Sequence, residues 1–127
     1  MTRRVLIVDD SMLMRRMIAD SPTDSGWGIA GEAASGEEAV AQYQQLRPDA
    51  VTLDIVMPGT DGMFALRHIL RFDRDAKIVV VSALNQTRLI SEAIRSGAQD
   101  FIAKPFLPEQ LQATMAGCLA PLAAAAP

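Results

Sequence analysis

The 127-residue sequence lacks the features that mark secreted and membrane proteins. Its single cysteine, Cys118, cannot form an internal disulfide and is typical of a reducing compartment. No apolar run approaches the roughly 18 residues of a membrane span. A signal peptide needs a continuous apolar stretch, and Asp9 interrupts the first apolar run. We therefore expect a cytoplasmic protein that has no membrane partner.

Clusters of basic residues are equally scarce. The net charge is −3, the pI is about 5.0, and basic residues occur in nothing longer than pairs such as Arg3-Arg4 and Arg15-Arg16. Nucleic-acid affinity depends on many cationic contacts with phosphates, so no nucleic-acid partner is expected. Half of the residues are apolar and 21% are charged, which is typical of one globular domain with a buried core.

Strand-like apolar runs alternate with segments of helical period along the chain. Helix signals follow the runs, such as the capping box that begins at Ser35. Near-continuous apolar strands between helices are typical of a parallel sheet that is covered on both faces. The sequence therefore predicts an α/β, doubly wound fold with a five-stranded parallel sheet and five helices. The strands are predicted at residues 5–8, 28–33, 50–54, 77–82 and 100–104.

Two local predictions concern the segment between the first two strands. The polar segment at residues 20–28 is broken by proline and glycine, which predicts a loop in which Trp27 packs over the sheet edge. The helix before it is predicted to bury one face, formed by Leu13, Met14, Met17 and Ile18.

The side chains that follow the strands are polar and complementary in charge. In open α/β sheets, ligands bind beyond the carboxyl ends of the strands. We therefore expect three carboxylates, one hydroxyl and one ammonium group to converge at that edge. Each of them alone would be an ordinary cap, turn or surface residue, but their joint placement favours a functional site. The ends of the first, third, fourth and fifth strands carry, in order, Asp9 with Asp10, Asp54, Ser82 and Lys104.

The adjacent carboxylates predict a metal ion. Two such charges about 4 Å apart repel by roughly 4 kcal/mol at an effective dielectric constant near 20. Lys104 supplies one compensating charge, and a hard divalent cation with oxygen ligands would supply two more. Mg²⁺ prefers a few carboxylates, waters and phosphate oxygens. The strand ends carry no histidine or cysteine, which a zinc or copper site would need.

The motifs around these residues resemble those of the receiver domain of two-component response regulators, most closely the single-domain chemotaxis regulators. The matching stretches are "VLIVDDS", "GEAASGEEAV", "PDAVTLDIVMPGTDG", "IVVVSAL" and "AIRSGAQDFIAKPF", in this order. The resemblance implies a flavodoxin-like sheet of order 2-1-3-4-5. It also implies a receiver domain over residues 1–120, followed at 121–127 by an Ala/Pro-rich tail or the start of a linker.

The resemblance assigns a chemical role to each residue at the strand ends. Asp54 would accept a phosphoryl group from the phosphohistidine of a sensor histidine kinase. Ser82 and Lys104 would contact the phosphoryl oxygens. The expected Mg²⁺ ligands are Asp9, Asp10, Asp54 and the backbone carbonyl of Val56.

The resemblance also implies how phosphorylation is communicated. Phe101 would be the switch aromatic, and the bond between Lys104 and Pro105 would be cis, as is common in the family. The phosphorylated form would change its binding to an output protein, such as a flagellar-motor switch component. We expect a monomeric phosphoacceptor switch rather than an enzyme.

Three alternatives remain open from the sequence. A flavodoxin-like electron carrier would share the fold, but "DDSMLM" is acidic where the FMN phosphate would bind. An aspartyl-phosphate phosphatase would place its nucleophile after the first strand and a second aspartate two residues later, whereas Asp9 and Asp10 are adjacent. The third alternative is a receiver domain excised from a longer multidomain regulator, such as a chemotaxis methylesterase.

Overall fold

The structure, a computed structural model, describes residues 3–20, 27–57, 62–83 and 85–119. Within these ranges strands and helices alternate as predicted. The strands are β1 (Arg3–Val8), β2 (Trp27–Ala33), β3 (Ala50–Asp54), β4 (Ile78–Ala83) and β5 (Asp100–Lys104). The helices are α1 (Met12–Asp20), α2 (Gly36–Leu46), α3 (Gly62–Phe72), α4 (Thr87–Ser96) and α5 (Pro108–Leu119).

The strands of the described residues form one parallel sheet in the order β2-β1-β3-β4-β5. This confirms the predicted α/β, doubly wound, flavodoxin-like fold and its strand order. Val8 pairs with Leu53, and Asp54 pairs with Val81, so the carboxyl ends of β1, β3 and β4 lie level. The strand order reverses between β1 and β3, which is where open α/β sheets bind ligands.

Apolar layers cover both faces of the sheet. Alternate strand residues point to opposite faces, so Leu6 packs on the side of α2, α3 and α4, and Ile7 packs on the side of α1 and α5. Leu66 anchors the first layer, while Leu111 and Met115 anchor the second, and all three are fully buried. Among the described residues, no helix has both the length and the apolarity needed to cross a bilayer.

The buried face predicted for α1 was partly wrong. Ile18 is buried and Met14 packs against the core, but Leu13 is 72% exposed and Met17 is 45% exposed. Residues four apart share one side of a helix, so Met14 with Ile18 and Leu13 with Met17 form two neighbouring apolar stripes. Only the first of these stripes packs against the sheet.

The position predicted for Trp27 was also wrong. Trp27 is the first residue of β2, pairs with Arg3 and is buried in the core instead of lying in a loop. Burial of the large indole ring favours this position, and its buried N–H has no hydrogen-bond partner in the described part of the chain. The rest of the predicted loop, residues 21–26, and the predicted tail, residues 121–127, lie outside the described residues.

Candidate functional site

The predicted polar side chains lie at the carboxyl ends of the strands. Asp9 directly follows β1 and is 1% exposed, and Asp54 ends β3 and is 6% exposed. Ser82, near the end of β4, is fully buried, whereas Asp10 is exposed. The structure therefore brings the predicted set together and leaves one carboxylate of it facing solvent.

Lys104, at the end of β5, reaches across the sheet edge to the acidic residues. Its Nζ lies 3.0 Å from Asp9 Oδ2 and 3.5 Å from Asp54 Oδ2. Charged groups can be buried when they are paired in this way. The bond between Lys104 and Pro105 is cis, as the resemblance implied.

Asp54 lies in an environment that opposes its ionisation. Burial and the nearby Asp9 carboxylate raise the pKa of Asp54 from its ordinary 3.8 to about 6, although Lys104 and the backbone N–H of Val56 act in the opposite direction. The Val56 N–H donates to Asp54 Oδ1 at 3.2 Å. Because this pKa lies below 7, the Asp54 carboxylate is mostly ionised at neutral pH. Its Oδ1 is positioned by the hydrogen bond from the Val56 N–H.

The acidic residues fit a hard divalent cation. Asp9, Asp10 and Asp54 each offer a carboxylate oxygen, and the three oxygens lie within 4.8 Å of one another. One ammonium group from Lys104 leaves this set with a net negative charge. Carboxylates together with waters and phosphate oxygens are the ligands that Mg²⁺ prefers.

Arg15 contacts the backbone of Asp9, and this role of Arg15 was not predicted. Its Nη1 donates to the backbone carbonyl of Asp9 at 2.6 Å, and its Nε pairs with Glu32 at 3.0 Å. The backbone N–H of Ser11 donates to Asp9 Oδ1 at 2.9 Å. Asp9 is therefore fixed through both its carbonyl and its carboxylate. The sequence offers no signal for this contact beyond the Arg15-Arg16 pair.

Gly62 lies directly against the backbone that carries Asp54. A Cβ at Gly62 would be 2.3 Å from the carbonyl oxygen of Asp54 and 2.5 Å from the Cα of Ile55. Its N–H donates to the Ile55 carbonyl at 3.1 Å. Only glycine allows this close approach, so the start of α3 packs tightly against the end of β3.

Ser82 and Phe101 lie on adjacent strands but are not directly opposite each other. Phe101 pairs with Val80, and Ser82 pairs with Ala103. Residues two apart in a strand share a face, so both side chains lie on the same face of the sheet. Phe101 is 42% exposed. The Ser82 hydroxyl donates to Oε1 of Gln86, a residue that was not predicted to take part in the site.

Comparison with known sequences identifies the family. The pattern of the response regulator receiver domain matches residues 5–116. The chain is 50% identical over 111 residues to the chemotaxis protein CheY of Thermotoga maritima, an alignment that covers 87% of this chain and 92% of that protein. The chain therefore belongs to the response regulator receiver domain family.

Solved structures agree with this assignment. The chain superposes with a TM-score of 0.87 on a chain of the CheX–CheY–BeF₃–Mg²⁺ complex of Borrelia burgdorferi, at 36% identity over 94% of this chain and 90% of that one. The response regulator domain of Thermotoga maritima CheB gives a TM-score of 0.81, at 33% identity over 94% of both chains.

Membership of this family defines the class of activity. Receiver domains are signalling switches rather than classical enzymes, and they take phosphate from histidine kinases and act on output partners. This class agrees with the acidic group and the lysine at the sheet edge. It favours the receiver over the electron carrier and the phosphatase that the sequence left open.

Proposed function

We propose that Asp54 is the phosphoryl acceptor of this receiver domain. The observation that supports the proposal is the position of its carboxylate, which is nearly buried at the strand-order switch and lies 3.5 Å from Lys104 Nζ. In the transfer, a carboxylate oxygen of Asp54 forms the new bond to phosphorus. The P–N bond of the donor phosphohistidine breaks, and its electron pair stays on the imidazole.

We assign the Mg²⁺ site to the neighbouring carboxylates. Asp9, Asp10 and Asp54 would hold the ion with the backbone carbonyl of Val56, and their three carboxylate oxygens are already within 4.8 Å of one another. When bound, the ion supplies positive charge beside the phosphoryl oxygens. BeF₃ and Mg²⁺ occur together in the related CheX–CheY complex, which supports this assignment.

The other strand-end residues stabilise the charge on the transferred group. Lys104 donates from its ammonium group to a phosphoryl oxygen, as it now does to Asp9. Ser82 donates its hydroxyl to a second oxygen. The product adds about two negative charges at this edge, so new contacts with Ser82 and Lys104 distinguish the phosphorylated form from the free form.

Phe101 communicates this difference to the surface. Movement of Ser82 toward Asp54 vacates space on the face that Phe101 shares, and the half-exposed ring turns into it. Full burial of an exposed side chain of this size is worth on the order of 1.5–3 kcal/mol. Phe101 is already more than half buried, so burial of the rest contributes roughly 0.6–1.3 kcal/mol, which shifts a two-state equilibrium roughly threefold to tenfold. The output partner would contact the outer surface of α4, β5 and α5.

We place this switch in chemotaxis. The similarity to CheY of Thermotoga maritima supports a cytoplasmic, monomeric regulator that a sensor histidine kinase phosphorylates and that binds a flagellar-motor switch component. The similarity to the CheB domain supports a second candidate, in which residues 1–120 are the receiver domain of a longer chemotaxis regulator and 121–127 begin a linker.

Labelling with acetyl phosphate tests the acceptor. Wild-type protein in Mg²⁺ should gain one phosphoryl group, and Asp54→Asn should gain none because its amide cannot form an acyl phosphate. Asp75→Asn, an exposed position away from the site, is the matched control and should label like the wild type. Labelling of Asp54→Asn at the wild-type rate would refute the assignment.

A second pair of variants tests the switch. Phe101→Ala should be phosphorylated normally, yet its affinity for the motor component should no longer differ between the two forms. Phe72→Ala is the control because Phe72 is also 42% exposed but lies at the end of α3. If the affinity of Phe101→Ala for the motor component still depends fully on phosphorylation, the switch residue is not Phe101.

A further inference from the structure

The hydroxyl of Ser82 is already engaged in the unphosphorylated chain. It is fully buried and donates to Oε1 of Gln86, at the start of α4. The same Oε1 accepts the backbone N–H of Ala83 at 3.0 Å. A backbone N–H can only donate, so its contact fixes which end of the Gln86 amide faces Ser82. Oxygen therefore faces the hydroxyl.

A serine hydroxyl has one proton and can donate one hydrogen bond at a time. If that bond goes to Gln86, it cannot also go to a phosphoryl oxygen on Asp54. Ser82 is completely buried, so water does not compete with Gln86 for this proton. The two hydrogen bonds are therefore mutually exclusive.

Backbone hydrogen bonds close the turn before α4, and the Gln86 side chain does not cap the helix. The backbone N–H of Gln86 donates to the Ala83 carbonyl at 3.1 Å, and its carbonyl accepts the Ile90 N–H at 3.0 Å. Gln86 is the N-cap residue of α4, yet its side chain makes no capping bond. Its side-chain oxygen is directed back toward β4 instead, where it meets Ser82.

We propose that Gln86 is a positioning residue that holds the Ser82 hydroxyl in the unphosphorylated form and so opposes activation. On phosphorylation, the Ser82 hydroxyl must exchange its hydrogen bond to Gln86 for one to the phosphoryl group. Gln86 then keeps only its hydrogen bond from the Ala83 N–H. The strength of the contact between Ser82 and Gln86 then sets how readily the chain enters the activated form. This inference rests on the proposed acceptor, Asp54, and on the proposed role of Ser82.

Calorimetric titration with beryllofluoride, a stable mimic of an aspartyl phosphate, tests the proposal in the presence of Mg²⁺. Gln86→Met has a similar length but a poor acceptor, so it should bind beryllofluoride roughly threefold to tenfold more tightly than the wild type. Its affinity for Mg²⁺ alone should not change, because Ser82 is not among the proposed ligands. Gln44→Met, on the exposed surface of α2, should match the wild type in both titrations.

A double-mutant cycle with Ser82→Ala separates this role from a merely structural one. Without the hydroxyl, Gln86→Met should no longer tighten beryllofluoride binding. In a third variant, Gln86→Glu, the carboxylate accepts the hydrogen bonds from Ser82 and Ala83 more strongly than the amide does. Gln86→Glu should therefore weaken beryllofluoride binding, and it should do so more when Ser82 is present than in the Ser82→Ala background. Gln86→Glu also keeps the test valid if Gln86→Met does not fold.

Two outcomes would overturn the proposal. One is unchanged or weaker beryllofluoride binding by a folded Gln86→Met, and the other is equal tightening with and without the Ser82 hydroxyl. Failure of the proposed function would look different, because the wild type itself would then not bind beryllofluoride in Mg²⁺.

Discussion

The carboxyl edge of the sheet and its interior treat buried polar groups differently. Among the described residues, four polar or charged side chains are buried, and three of them, Asp9, Asp54 and Ser82, lie at the edge. Each of these three has at least one hydrogen-bond or ionic partner. Thr52 is the fourth. It lies within β3, and its hydroxyl has no hydrogen-bond partner in the described part of the chain.

At the sheet edge, the buried polar groups that lower stability are the same groups that take part in the proposed phosphorylation. At the edge, carboxylates are held close together although burial and mutual repulsion disfavour their charges, as the raised pKa of Asp54 shows. In the interior, an unpartnered hydroxyl has a cost and no evident role in the site. Substitutions at the edge should therefore change stability and phosphorylation together, whereas substitutions in the interior should change stability alone.

The largest effect is expected at Gly62. A Cβ there would lie 2.3 Å from backbone that cannot yield cheaply, so Gly62→Ala should lose about 3 kcal/mol of stability and much of its labelling at Asp54. Gly117, on α5, has nothing within 4 Å of an added Cβ, so Gly117→Ala should instead gain about 0.5–1 kcal/mol. Urea unfolding measures both. Equal stability of the two variants would contradict the proposed packing of α3 on β3.

The next effect is a dependence on pH in metal-free buffer. The folded protein binds the Asp54 proton more tightly than the unfolded chain does, because the pKa rises from 3.8 to about 6. Asp54 therefore contributes a loss of stability as the pH rises from about 4 to about 6. Asp54→Asn should be more stable than the wild type at pH 7 by up to roughly 3 kcal/mol, and this advantage should vanish near pH 4. Unfolding curves at both pH values measure it, and a constant difference would contradict the account.

The effect of Asp10 should fall mainly on the metal. Loss of a ligand should weaken Mg²⁺ binding at least as much as loss of an outer-shell partner, which costs about tenfold or more. Asp10 is exposed, so Asp10→Ala should fold normally and be slightly more stable without metal, since one repelling carboxylate is gone. A Mg²⁺ titration identical to that of the wild type would show that the acidic pair serves another purpose.

The smallest effect is expected in the sheet interior. Thr52→Val replaces an unpartnered buried hydroxyl with a methyl group of similar size, which should stabilise the fold by about 1 kcal/mol. Labelling at Asp54 should not change. Thermal unfolding and acetyl phosphate labelling measure the two quantities. Destabilisation by Thr52→Val would mean that the hydroxyl has a partner and that the contrast with the edge is false.

The strands and the edge residues could be predicted because their patterns are local. Continuous apolar runs predicted the buried strands, and polar residues at the ends of four of the five strands, including Asp54 and Lys104, predicted the cluster at this edge. The face of α1 could not be predicted, because Met14 and Leu13 belong to two equally apolar stripes and only packing selects one. Arg15 and Gln86 were missed because, unlike Lys104, they do not lie at the end of a strand, and the sequence carries no other signal of where their side chains will bind.

The central claim is that Asp54 alone receives the phosphoryl group at this edge. It is tested most directly by labelling the protein with acetyl phosphate in Mg²⁺, reducing the acyl phosphate with borohydride and locating the altered residue by peptide mass spectrometry. Reduction converts a phosphorylated aspartate to homoserine, and we predict homoserine at position 54 with Asp9 and Asp10 unchanged. Homoserine at position 9 or 10, or a stable phosphate ester on Ser82, would contradict the account.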